Sequence, residues 1–160
     1  MRELSLAFVI ARKVLALAEE QPFAHVREVR LAVGEWTSVQ AEQLVYCYGA
    51  VTEDTPLVDS ILAIEPVAGV VKCPHCGYTG RPKFWEDSHW LAAIPTLMCP
   101  ECERSAEMVE GHQCAIRAIH YASGPGGSSA GRHDGQSGEN PGNDLNSPAT
   151  HFQNFVAYVE

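Results

Sequence analysis

Residues 73–102 read CPHCGYTGRPKFWEDSHWLAAIPTLMCPEC, a segment that opens and closes on a Cys-x-x-Cys pair. A tetrahedral Zn²⁺ takes four donors, with thiolate sulfurs about 2.3 Å away. Two cysteines three positions apart can place both sulfurs on one ion from a tight turn, and Gly77 favours such a turn after the first pair. Two turns facing each other complete a Cys₄ shell from Cys73, Cys76, Cys99 and Cys102. The 22 residues between Cys76 and Cys99 make the spacer slightly longer than is common for this pattern. A thioredoxin-like redox pair requires its own βαβ setting, and two such pairs in one chain are improbable. Ferredoxin cysteine spacings differ from this one, and a catalytic zinc keeps an open position, usually with His or carboxylate ligands. His75 and His89 are candidate replacements for a displaced cysteine, though a solvent-facing histidine is the simpler reading. Trp85, Trp90, Leu91, Ile94 and Leu97 are too few to build a core, so the segment is expected to unfold locally without its metal.

Upstream, the pattern alternates between helix and strand. Leu4, Ala7, Phe8, Ala11, Val14, Leu15 and Ala18 line one face of a helix over 4–20, ended by Gln21-Pro22. In residues 26–33, Val29, Leu31 and Val33 alternate with Glu28 and Arg30, which predicts a half-buried strand closed by Gly34. Thr37 and Gln40 resemble a capping box for a second helix through about Val51, with Leu44, Cys47, Tyr48 and Val51 apolar. Glu53-Asp54-Thr55-Pro56 breaks it. Residues 61–72 form a β-branched run, bent or interrupted at Pro66 and Gly69.

Downstream, HQCAIRAIHY (112–121) predicts a third strand, with Cys114 and Ile116 on one face and Ile119 and Tyr121 on the other. From Ser123 to Ala149 the chain turns to Gly, Ser, Asn and Pro, with too little apolar surface to offset its ordering entropy. Phe152, Phe155, Val156 and Val159 fall at helical spacing, so the last residues read as a frayed end or a short docking helix. The fold class is therefore α+β. Two helices pack on a small three-stranded sheet, with an inserted Cys₄ zinc-ribbon-like domain and a flexible C-terminal tail. The expected division is an α/β domain of residues 1–72 plus 103–122, a zinc domain of 73–102 and a tail of 123–160.

Composition narrows the function. The 160 residues are 46% hydrophobic with a formal net charge of −9, and residues 1–122 alone hold 16 acids against 10 bases. That balance weighs against a nucleic-acid binder; Arg81, Lys83 and Trp85 make only a thin basic–aromatic patch, more simply read as a solvated loop. No apolar run approaches a membrane span and no secretory leader is legible, so the expected compartment is the cytoplasm. Cys47 and Cys114 read as buried small residues. No nucleophile–base motif, His-Glu-x-x-His or phosphate loop is present, and Glu3, Glu35 and Glu42 read as acids on solvated faces, so an enzyme is not expected.

With these pieces placed, the chain resembles the HypA/HybF hydrogenase maturation proteins over residues 1–121. The resemblance rests on the opening Met1-Arg2-Glu3-Leu4-Ser5-Leu6 and on VREVRLAVGEWTSV (26–39). AEQLVYCYGAVTEDTPL (41–57), the two cysteine pairs and the strand after Gly111 complete it. It implies a nickel metallochaperone with transient Ni²⁺ and structural Zn²⁺. The implied partners are a [NiFe]-hydrogenase large subunit, a nickel-insertion GTPase and, in some organisms, urease maturation proteins. It also implies nickel donors at the chain start: the Met1 amine, the backbone nitrogens of Arg2 and Glu3, and an imidazole at position 2. Here position 2 is Arg2, and a guanidinium offers a metal no lone pair. Three explanations stand open. Another donor such as His112, His120, His133 or His151 serves; the protein is an adaptor with little nickel affinity; or position 2 departs from a working sequence.

Overall fold

A computed structural model of the chain describes residues 2–20, 24–85, 93–123 and 150–159. Helix α1, Arg2–Ala18, buries Ala7, Ile10, Ala11 and Val14, the i, i+3, i+4, i+7 stripe that a helix presents to a core. Helix α2, Ala41–Thr52, buries Leu44, Cys47, Tyr48 and Thr52, and the two helices pack against each other. Thr52 enters this face by donating its hydroxyl to the Tyr48 carbonyl at 2.8 Å, which satisfies a polar group that would otherwise be costly to bury.

Strand β1 is Ala24–Gly34, β2 is Ile61–Val67 and β3 is Val70–Lys72. Short strands β4 (Thr79–Gly80), β5 (Phe84–Trp85) and β6 (Ile94–Pro95) follow, then β7 (Glu107–Glu110), β8 (Cys114–Ser123) and β9 (Thr150–Tyr158). The main sheet has the order β2-β1-β8-β9, with β1–β2 parallel and the other pairs antiparallel. Helix α2 lies in the β1–β2 crossover, as a parallel pair requires. The principal core joins both helices to Val26, Val29, Leu31, Val33, Ile116, Ile119 and Tyr121 of the sheet. A second sheet, β4-β3-β7, and a ribbon of β5 and β6 form the smaller lobe.

Several details differ from the sequence reading. The main sheet has four strands, because Thr150–Tyr158 pairs along β8 from Ala122↔Thr150 to Ala115↔Tyr158 instead of forming a helix or a frayed end. The stretch expected to link them, 124–149, lies outside the described residues, as do His89, Trp90 and Leu91. The register skips Arg27 on β1 and Arg117 on β8. Each bulge resets the two-residue alternation, so Val26 joins Val29 in the core, and Ile116 and Ile119 share one face rather than opposing ones. The Thr37–Gln40 capping box is not formed. A short 3₁₀ turn occupies Glu35–Thr37, the Thr37 hydroxyl bonds back to the Gly34 carbonyl at 2.6 Å, and Gln40 precedes α2 without a side-chain cap. The run 61–72 divides at Ala68–Gly69 into strands of two different sheets, while Pro66 remains within β2 on the sheet edge. That position suits a residue with no amide to donate.

Candidate metal centre

The two cysteine pairs sit on two turns built alike. In the first, the Cys73 amide bonds to the Tyr78 carbonyl at 2.8 Å and the Gly77 amide to the Cys73 carbonyl at 3.1 Å. In the second, the Cys99 amide bonds to the Arg104 carbonyl at 2.9 Å and the Glu103 amide to the Cys99 carbonyl at 3.0 Å. The residue after each pair takes positive φ, +78° at Gly77 and 58° at Glu103. The second turn therefore places a carboxylate residue where the first uses glycine, and Glu103 is held there by an ion pair with Lys83.

The four sulfurs converge within 4.8 Å of one another. Tetrahedral thiolate coordination at about 2.3 Å sets sulfur–sulfur separations near ~3.8 Å. Cys73 and Cys102 are 3.5 Å apart, and so are Cys76 and Cys99, so the residues present fit a tetrahedral thiolate-bound ion. Cys73 and Cys99 are buried, Cys102 is half-buried and Cys76 is exposed. The backbone N–H groups of Cys76 and then His75 point at the Cys73 sulfur and hold that thiol at about 7, which favours the thiolate a metal needs. Cys76 is pushed up to about 12: the Tyr78 amide lowers it, but desolvation and the neighbouring sulfurs of Cys99, Cys73 and Cys102 outweigh that. Crowded sulfurs resist bearing four negative charges until a cation sits among them. Among the described residues this is the single group of metal-ligating side chains. His75 is exposed in the first turn and belongs to no such group.

The lobe carrying this cluster rests on the main sheet through a seam that sequence reading did not find. Its small core, Val71, Cys73, Cys99 and Ala106, packs against Trp36 of the 3₁₀ turn. Arg81 grips Glu35 with two nitrogens, at 2.6 and 3.0 Å, and also donates to the Gly69 carbonyl at 3.1 Å. The Gly69 amide returns a bond to the same Glu35 carboxylate at 2.8 Å. The Arg81 guanidinium holds the Glu35 carboxyl below the usual carboxylate range, helped by the Gly69 amide and opposed by partial burial. Arg81 also lies over the Phe84 ring at 5.0 Å. Glu35 is thus no idle surface acid, and the Arg81–Lys83 patch has both its cations paired with carboxylates.

Arg2 and Glu3 open α1, and Met1 lies outside the described residues. The Arg2 guanidinium donates to the Thr37 carbonyl at 2.6 Å, and the Gln40 amide donates to the Glu3 carboxylate at 3.4 Å. Glu3 is held below the ordinary range by its own backbone N–H and then by that of Gln40. The first amides of a helix have no intrahelical acceptor, so the Arg2 and Glu3 nitrogens carry no helical bond that a ligand would have to break. His112 is exposed beside Gln113 (Nε2 to Nε2, 3.5 Å), and His120 is half-buried on β8 across from Glu28. His133 lies outside the described residues, and the His151 side chain is not described. Cys47 is buried and Cys114 half-buried, its thiol pushed up to about 11 by burial.

The model of a family described as hydrogenase/urease nickel incorporation, metallochaperone, hypA matches residues 1–121. The chain belongs to the HypA family. It is 32% identical over 130 residues to the hydrogenase maturation factor HypA of Methanopyrus kandleri, covering 74% of this chain and 92% of that one. The HypA of Methanosarcina mazei is 31% identical over 126 residues, covering 74% and 91%. A solution structure of a HypA protein superposes with a TM-score of 0.52 at 16% identity, covering 74% of this chain and 94% of the other, and so shares the fold. The HypA match takes in both the four-cysteine lobe and the opening of α1, and stops before β9.

Proposed function

We propose that this protein is a hydrogenase maturation factor that carries Ni(II) for insertion into a [NiFe]-hydrogenase large subunit, working with a nickel-insertion GTPase in the cytoplasm. The observation that carries this is the family correspondence across residues 1–121, which includes both metal-relevant regions. Urease maturation is a further destination consistent with the family description. On this reading the protein positions a metal and a client and is not itself a catalyst. Its working parts are an α/β domain from 1–72 plus 103–122, to whose sheet β9 of the 123–160 tail adds a strand, and a zinc domain of 73–102 whose lobe also takes in β3 and β7.

Zn²⁺ is the proposed resident of the Cys73, Cys76, Cys99 and Cys102 shell. Two turns with sulfurs at these separations suit a tetrahedral, redox-silent ion that closes its shell entirely with protein ligands. When bound it would clip the two turns together and supply folding energy on the order of 10 kcal/mol.

Nickel is cargo, and its proposed donors are nitrogens at the head of α1: the Met1 amine and the amides of Arg2 and Glu3. Flat nitrogen sets suit Ni(II). The Arg2 guanidinium, committed to Thr37, supplies no fourth donor. That contact favours a second reading, in which the protein is a zinc-containing adaptor of the maturation complex with little nickel affinity of its own. Calorimetric titration of Ni²⁺ into zinc-loaded protein with an untagged N-terminus, beside R2H, separates the two. Binding by both proteins at one equivalent supports nickel carriage. Binding by R2H alone supports the adaptor. Binding by neither removes the N-terminal site from consideration.

A further inference from the structure

Beside the Glu35–Arg81 pair lies an open cleft of about 370 Å³. It sits at the carboxyl ends of the parallel strands β1 and β2, where Val33 pairs with Pro66 and Gly34 with Val67. That end of a parallel pair is the usual place for a ligand crevice. Its walls are apolar, from Val33, Val39, Ala41, Ile64 and Val67. Arg81 and Glu35 supply its charged groups, so the main sheet and the small lobe both contribute. Ligand clefts span about 300–1,000 Å³ and share this mixture of apolar walls with few polar groups.

Those polar groups are committed unevenly. Both Glu35 oxygens already accept, Oε1 from Arg81 and Oε2 from Arg81 and the Gly69 amide. The Gly69 carbonyl accepts from Arg81 as well. A guanidinium carries five N–H donors in a rigid fork. The bonds to Glu35 and Gly69 use both hydrogens on Nη1 and one on Nη2. The Nε hydrogen and the other Nη2 hydrogen lie side by side and meet no acceptor among the described residues. Glu35, Gly69 and the Phe84 ring at 5.0 Å hold the group in place, so this second fork is fixed before anything binds. What the cleft lacks is an acceptor. The Arg81 charge is already matched by Glu35, so an uncharged carbonyl oxygen suits the fork better than a second carboxylate.

We propose that this cleft docks an uncharged, apolar segment of a partner protein. One aliphatic or aromatic side chain enters between β2 and the head of α2, and the backbone carbonyl beside it accepts from the second fork of Arg81. The cleft is open, so the rest of the partner stays outside, the arrangement of an anchor residue in a pocket. Because the walls come from both lobes, the occupant also ties the small lobe to the sheet. The inference does not depend on which metal the protein carries.

The test titrates capped amino acids into the zinc-loaded full chain and follows backbone amide resonances. N-acetyl-leucine methylamide supplies the side chain and uncharged carbonyls. N-acetyl-glycine methylamide lacks the side chain, and N-acetyl-leucine ends in a carboxylate. The leucine methylamide is expected to shift Val39, Ala41, Ile64 and Val67 saturably and to bind more tightly than the other two. Arg81→Lys keeps the charge but loses the fork, and should weaken that binding about tenfold, the effect of one hydrogen bond to a charged donor. Ala41→Trp, at an exposed position, fills the cleft and should abolish binding while the fold persists. Absence of saturable shifts at these residues overturns the proposal, as does unchanged affinity in either variant. Tighter binding of N-acetyl-leucine also overturns it and gives the cleft to small organic acids. If Arg81→Lys fails to fold, Ala41→Trp and the comparison of probes decide.

Discussion

Gly77 and Gly111 share a positive φ, +78° and +87°, but differ in what surrounds them. A Cβ at Gly77 would meet nothing within 4 Å, whereas one at Gly111 would lie 2.7 Å from the Gly69 Cα and 2.8 Å from the Ala68 carbonyl oxygen. Gly77→Ala is therefore expected to cost only the backbone strain, about 1 kcal/mol. Gly111→Ala adds a backbone collision at the seam and is expected to cost several kcal/mol. Thermal unfolding of the metal-loaded variants checks both, and equal losses would contradict the argument. Glu103 shows that the left-handed conformation is tolerable without glycine when the side chain has an anchor, here Lys83. At this scale the convergence of the four cysteines was legible, because the spacing within each pair is local. The roles of Arg2 and Glu35 were not, since each depends on a partner more than 30 residues away.

Between elements, the seam is held by the Glu35–Arg81 pair. Arg81 is 47% exposed and Glu35 30%, so solvent screens the interaction, and Glu35→Gln is expected to cost no more than about 1 kcal/mol at low salt and less as salt rises. The folded carboxyl titrates below its unfolded value. Its contribution is thus fully present above the ordinary carboxylate pKa and is lost as pH falls through the lowered one. Melting temperatures of the natural protein and Glu35→Gln should differ at neutral pH and converge in acid, once pH has fallen through the lowered carboxyl pKa. A gap that persists in acid would mean that the pair is not its source. The helices and β1 were readable because apolar spacing reports a local period. The bulges at Arg27 and Arg117 were not, because a skipped residue is set by the facing strand. The 3₁₀ turn in place of a cap is likewise set by where Gly34 and Trp36 must bond, to Gln113 and Gly111.

Over the whole molecule, the two hydrophobic cores are unequal. The larger joins both helices to the sheet, while the smaller has four buried residues, two of them cysteines of the four-sulfur cluster. Chelation is therefore expected to release residues 73–102 while α1, α2 and the main sheet persist. Hydrogen exchange should show protection lost in the small lobe and retained at β1 and β8, and global loss of protection would refute this. The sequence order of helices, strands and insert was legible from pattern alone. The fourth strand was not. The apolar residues of HFQNFVAYVE fit a helical spacing as well as an extended one, and the choice is made by an open edge supplied by a distant part of the chain. Trp36 offers a direct view of how the lobes sit. Its indole Nε1 is buried at the seam with no hydrogen-bond partner among the described residues, close against Gly69. Such an indole proton resonates away from hydrogen-bonded ones and is sheltered from exchange, unlike that of the exposed Trp85. One nuclear resonance thus becomes a gauge of lobe docking, readable without a label while metal, pH or a partner is changed.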